Sequence, residues 1–233
     1  MITHSIKKLP IHLIWIFGLL EMITVPLVAW LPQVSSLQTK SPWQGAVVGF
    51  IGVALLFMIV NKTIPQLKLQ IESEPVLKIS ILPVALWNML LLALIFGLQK
   101  IVGLIVIESW ILRYVLAGFI SVFGAVWITL SVYRISYKYM TPLRISIKTN
   151  RHRYSVKKNS IVMLALLGGV YEAIALPLIL LWQKAESNVP VIAAITGLVG
   201  GVLGCSIIIF LYNRLNIPRL IFIFEKKRTS GVV

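Results

Sequence analysis

Six long apolar stretches constrain this chain more than any other feature of its sequence. They fall at approximately 11–31, 44–60, 79–98, 110–133, 160–182 and 190–212. A helix needs about 20 predominantly apolar residues, with a range of roughly 17 to 25, to cross the hydrocarbon core of a bilayer. A soluble bundle would instead show polar faces on its surface helices, and these stretches have none. The composition agrees: 58% of the 233 residues are hydrophobic and 12% charged. The expected fold is therefore an all-α polytopic membrane protein, with six transmembrane helices in a single integral membrane domain over 1–233.

The net charge of +15 is informative through its placement. Lys7, Lys8, Lys62, Lys68, Lys78, eight basic residues from Arg134 to Lys158 and five from Arg214 to Arg228 fall on one side of the expected bundle. The other side carries Lys40, Lys100, Lys184 and, at the start of the fourth span, Arg113. The positive-inside rule makes the basic side cytoplasmic, which puts both termini in the cytoplasm of a multi-pass cell-membrane protein. Attraction to a lipid bilayer with anionic headgroups explains the basic surface, and no nucleic acid is expected as a partner. The first span exceeds a signal-peptide core and has no small-residue cleavage site before Gln33. It reads as a retained anchor.

The spans also repeat. Around Glu21 the chain reads Glu-Met-Ile-Thr-Val-Pro-Leu, and around Glu172 it reads Glu-Ala-Ile-Ala-Leu-Pro-Leu. Tryptophan and glutamine follow both, as Trp30 and Gln33 and as Trp182 and Gln183. A middle copy has Asn88 in that place, Ala93 where the others have Pro26 and Pro177, and Gln99-Lys100 matching Gln183-Lys184. The even-numbered spans carry small-x-x-small elements beginning at Gly49, Gly118 and Gly197. They leave the membrane through Asn61-Lys62, Tyr133-Arg134 and Tyr212-Asn213-Arg214, followed by Pro65, Pro142 and Pro218.

After each proline, apolar residues recur at alternate positions: Leu67, Leu69, Ile71; then Leu143, Ile145, Ile147; then Leu220, Phe222, Phe224, the last run being apolar on both faces because Ile221 and Ile223 fill the intervening places. Alternation bounded by proline is a strand signal, although an extended solvated tail would read similarly. The expectation is three parallel two-helix repeats (11–72, 77–148 and 159–225) about a pseudo-threefold axis along the membrane normal. A short cytoplasmic β-like segment follows each, and these segments would pair with one another to satisfy their edges.

Polar side chains inside an apolar span are costly and turn from lipid toward a partner or cavity. Glu21, Asn88 and Glu172 are thus the candidates for binding a ligand or a proton, facing a common axis. Pro26 and Pro177 kink their helices beside this site and free the carbonyls of Met22 and Ala173. No basic residue lies at that depth to neutralise the carboxyls. Arg113, near the outer boundary, is expected to pair with Glu108 or to reach the interface. Burial favours the neutral form of a carboxyl; protonated it donates a hydrogen bond, and ionised it can hold a cation. Two carboxyls and an amide suit a proton-linked step or capture of a cationic group. They equally suit interhelical glue, each carboxyl bonded to a neighbouring carbonyl or hydroxyl.

Enzymatic chemistry finds little support. His4, His12 and His152 lack acidic neighbours, and one cysteine, Cys205, excludes an intrachain disulfide and a cysteine-cluster metal site. The chain has no aspartate, which removes aspartyl phosphoryl transfer and aspartic-protease chemistry. No enzyme, cofactor or metal is expected. The glycine runs read as close helix contacts, and Trp30, Trp43, Trp110 and Trp182 as an interfacial belt. The chain reads first as a small transporter or transport subunit handling a proton or cationic ligand. The other reading is a non-catalytic accessory protein (assembly factor, sensor partner or toxin-immunity protein). It would dock a membrane-protein partner or a second copy through its basic loop 134–158.

Overall fold

The computed structural model describes residues 2–6, 8–30, 41–67, 70–71, 74–105, 107–137, 144–147, 150–183, 190–215 and 220–226. Most of them lie in six helices: α1 (Leu13–Trp30), α2 (Pro42–Leu67), α3 (Ile81–Val102), α4 (Trp110–Ser136), α5 (Lys158–Gln183) and α6 (Pro190–Arg214). All six are long and apolar enough to cross a membrane. Their outward faces match that solvent. On α2, Val47, Ile51, Leu55 and Met58 are exposed at helical spacing, as are Ile195, Leu203, Ile207 and Phe210 on α6. So much contiguous apolar surface belongs in lipid. The largest departure from the expected boundaries is at α2, which runs through Pro65 to Leu67 instead of ending near residue 60; α3 also runs on to Val102 instead of ending near 98. A proline in the last turn removes a single hydrogen bond, and little helix remains beyond it to bend.

Each helix packs on its sequence neighbours, and α1 packs on α6, so the six close into a ring. The broadest interfaces join α1 to α6, α2 to α3, and α4 to α5. Glycine makes those approaches possible. A Cβ on Gly49 would meet the Asn88 carbonyl oxygen at 2.5 Å, and one on Gly118 the Glu172 carbonyl oxygen at 2.8 Å. Gly197 lies in the same way against the carbonyl of Glu21. The ring is packed inside rather than open. Val28 of α1 reaches the cluster of Ile95 and Phe96 on α3 and Val122 and Ala125 on α4.

A six-stranded sheet joins the helices at one end. Its strands are β1 (Ile2–Ile6), β2 (Gln70–Ile71), β3 (Glu74–Ile79), β4 (Arg144–Ile147), β5 (Asn150–Val156) and β6 (Leu220–Lys226). Their order is β1-β6-β5-β4-β3-β2, with antiparallel neighbours. β4 and β6 lie where alternation pointed. After α2, however, Leu67 is helical, Leu69 lies outside the described residues, and only Gln70–Ile71 is extended.

The expected pairing is also corrected, because β2, β4 and β6 do not pair with one another. β2 pairs with β3, β4 with β3 and β5, and β6 with β5 and β1. Short connections favour antiparallel neighbours, so β2 folds back on β3 and β4 on β5, each pair linking an even helix to the next odd one; β6 instead pairs with β1 from the other end of the chain, where α6 packs on α1.

Side chains fasten sheet to helices. Asn61 accepts from the Ile79 amide at 2.8 Å and donates to the Ile79 carbonyl at 2.9 Å. Asn213 does the same to Leu9, at 2.8 and 3.2 Å. The hydroxyl of Ser80 accepts the Arg144 amide at 2.9 Å, and that of Ser160 the Ile221 amide at 2.8 Å. Strand alternation sorts the two faces. Leu220 and Val156 are buried, and Phe222 and Ile79 pack with Leu56 and Val60 of α2. The intervening positions Lys78, Arg144, Arg153, Ser155, Ile223 and Glu225 fall on the opposite, outer face, whose Glu225 is reached by Tyr137 at the end of α4.

Candidate intramembrane carboxyl site

Glu21 sits mid-way along α1 with both carboxyl oxygens engaged. Thr24, one turn further on, donates its hydroxyl to Oε2 at 3.2 Å. Tyr171 donates its hydroxyl to Oε1 at 3.0 Å. That second bond crosses from α5 to α1, and the glycines of α6 give it room. A Cβ on Gly201 would meet Glu21 Cγ at 3.0 Å and Gly18 Cα at 3.1 Å. One on Gly204 would meet the Tyr171 ring at 3.0 Å. α1 and α5 therefore converge over the small-residue face of α6, and the rings of Phe17 and Tyr171 come to 5.1 Å between centroids.

Glu172 follows Tyr171 directly and lies within electrostatic reach of Glu21. Its backbone carbonyl rests on Gly118. Its carboxyl is half-buried and accepts no hydrogen bond among the described residues. Glu21, also half-buried, is thus the held member of the pair and Glu172 the open one. Pro26 and Pro177 lie inside α1 and α5, five residues beyond each glutamate.

The side chain of Asn88 bonds differently from those of the glutamates. Its Nδ2 donates to the Gly49 carbonyl at 3.0 Å, and no hydrogen bond among the described residues joins it to either carboxyl. Arg113 does not ion-pair with Glu108; its Nη2 donates to the Ile107 carbonyl at 2.6 Å. The connection into α4 folds that carbonyl back within the side chain's reach. No group of three or more His, Cys, Asp or Glu among the described residues could hold a metal ion.

Two participants escape a reading of the sequence. Thr24 left a faint signal, the i, i+3 spacing from Glu21 that places both on one helix face. Tyr171 left none, since a tyrosine in an apolar run looks like any other aromatic in a span. Together these residues form a carboxyl with two hydroxyl donors beside a second carboxyl with open oxygens, within apolar helices. Such a pair can take up a proton or hold a cationic group. No protein-family model matches the chain, and neither a curated protein nor a solved structure matches it.

Proposed function

We propose that this protein is a small membrane transporter, or the transport subunit of a larger assembly, that handles a proton or cationic ligand at Glu21 and Glu172. The inequality of the two carboxyls carries this reading. Glue between helices needs each carboxyl bonded to a neighbour, and Glu21 is bonded in that way. Glu172 is left with free oxygens beside it, an arrangement that costs stability and suits a group exchanging a ligand. Pro26 and Pro177 give α1 and α5 bending points next to the pair.

In this reading the ring is three parallel copies, 11–72, 77–148 and 159–225, about a pseudo-threefold axis. Its support is a relation met three times: Asn88, Glu172 and Glu21 each set their backbone carbonyl against a glycine of the even helix on one side of them in the ring, Gly49 on α2, Gly118 on α4 and Gly197 on α6. Asn88 is then the third equivalent of the glutamates, an amide in place of an acid. The basic side, with sheet and both termini, faces the cytoplasm of a cell membrane and its anionic headgroups.

The basic outer sheet face favours a second reading, an accessory protein that docks a membrane-protein partner or a second copy there. One comparison separates the two. In proteoliposomes under an imposed membrane potential, the wild type should carry protons or a test cation, and a Glu21→Gln, Glu172→Gln double variant of equal abundance should not. If neither conducts, and a stoichiometric partner is recovered in mild detergent and lost on neutralising the 134–158 loop, the accessory reading replaces the transporter.

A further inference from the structure

The outer face of the sheet gathers cations that have no ion-pair partner among the described residues. Arg144 on β4 stands directly opposite Arg153 on β5. Side chains so placed have Cβ atoms about 4.5–5.5 Å apart, and like charges there destabilise a sheet. Lys78 on β3, paired in register with Ser146, is the diagonal neighbour of Arg144 and is exposed. Among the described residues an acid, Glu225 on β6, stands opposite Arg153.

Glu225 does not neutralise the group. Its carboxylate accepts the Tyr137 hydroxyl at 3.3 Å, and among the described residues no ion pair reaches Arg144 or Arg153. Burial, reinforced by Glu225, pushes the Tyr137 phenol up to about 12 against the opposing pull of Arg153, so it stays a neutral donor at physiological pH. The Nε of Arg144 is buried with no acceptor among the described residues. A guanidinium N–H shielded from water and left unbonded is costly, and this one belongs to a side chain already facing another arginine.

We infer that Arg144 and Arg153, with Lys78 beside them, form a binding site for a phosphate group on the outer face of the sheet. Guanidinium forks match phosphate oxygens two at a time. A tetrahedral anion has enough acceptors to serve two forks on adjacent strands and the Arg144 Nε as well. The chemistry is common to the headgroup phosphate of an anionic lipid and to a soluble phosphate. This site is separate from the intramembrane carboxyls and does not depend on what they do.

The test uses the full-length protein with two probes: inorganic phosphate in detergent solution, and nanodiscs of phosphatidylcholine with and without phosphatidylglycerol. Thermal stability is followed for the wild type, Arg144→Gln, Arg153→Gln and Lys62→Gln, an exposed helix-end lysine serving as a control of equal charge change. Losing charge-assisted hydrogen bonds should weaken apparent binding at least about ten-fold in either arginine variant and leave Lys62→Gln near wild type. A shift with inorganic phosphate assigns a soluble ligand. A shift only with phosphatidylglycerol assigns a lipid. Equal weakening in all three variants, or no response of the wild type to either probe, overturns the site. If Arg144→Gln does not fold, Arg153→Gln and Arg144→Lys, which keeps the charge and loses the fork, carry the comparison.

Discussion

The Tyr171 hydroxyl donates to the Glu21 carboxyl at 3.0 Å, tying α5 to α1 over the glycine face of α6. This bond makes the two glutamates inequivalent, because Glu172, the neighbour of Tyr171, has no such donor among the described residues. Tyr171→Phe therefore isolates its effect. The ring keeps its packing on Phe17 and Gly204, and the loss of one hydrogen bond should lower stability by only about 1 kcal/mol. If the protein transports as proposed, flux in Tyr171→Phe should persist with a displaced pH profile. An unchanged profile would show that the hydroxyl serves packing alone.

Two glycine-to-alanine changes of identical chemistry should have opposite effects. At Gly118 the new methyl would lie 2.8 Å from the Glu172 carbonyl oxygen, backbone that cannot give way. Overpacking of this kind costs about 1–3 kcal/mol. At Gly97 the nearest atom, Pro42 Cγ, is 3.6 Å away, and the better helix propensity of alanine should leave stability level or raise it by up to about 1 kcal/mol. Thermal unfolding in detergent decides between them, and equal effects would mean that the α4–α5 interface is looser than described.

The sequence disclosed what lipid demands and concealed what depends on partners. Spans were legible because a bilayer requires long apolar runs, and Glu21, Asn88 and Glu172 stood out against them. The glycines announced close contact but not with whom: Gly197 meets Glu21 from the far end of the chain, and ring closure alone sets that pairing. β1, β3 and β5 carried no clean alternation, since runs such as Thr3-His4-Ser5 and Arg151-His152-Arg153 read as solvated loop. Asn61 and Asn213 looked like polar helix exits, and their bidentate grip on Ile79 and Leu9 emerges only once strands lie beside helix ends.

Orientation can be read by labelling in a Cys205→Ala background, where the one native thiol, buried in α6, is removed. A cysteine at Glu108, exposed between α3 and α4, should react with an impermeant reagent outside intact cells. One at Ser155 on β5 should react only after permeabilisation. Positions 35 and 187 lie outside the described residues and should follow Glu108. Outside labelling of the Ser155 position would invert the topology.

His12 gives the fold an acid sensitivity. It precedes α1, its Nε2 is buried without a partner among the described residues, and burial lowers its pKa from the ordinary 6.5. As pH falls, the unfolded chain takes up this proton first. The contribution of the neutral ring is therefore complete above about 6.5 and is lost as pH drops through the lower folded-state value. Between about pH 8 and about pH 5, Tm of the wild type should fall more than Tm of His12→Gln. Parallel curves would remove His12 as the cause.

The most direct test of the carboxyl site is the rate of proton or test-cation flux into proteoliposomes as a function of pH, for wild type and Glu172→Gln. Glutamine keeps the size and hydrogen-bonding capacity of the side chain and cannot titrate. The account predicts a pH-dependent flux in the wild type and, in a folded Glu172→Gln protein, a flux that is abolished or has lost that dependence. Full flux with an unchanged pH profile in Glu172→Gln would make the open carboxyl a packing group and contradict the account.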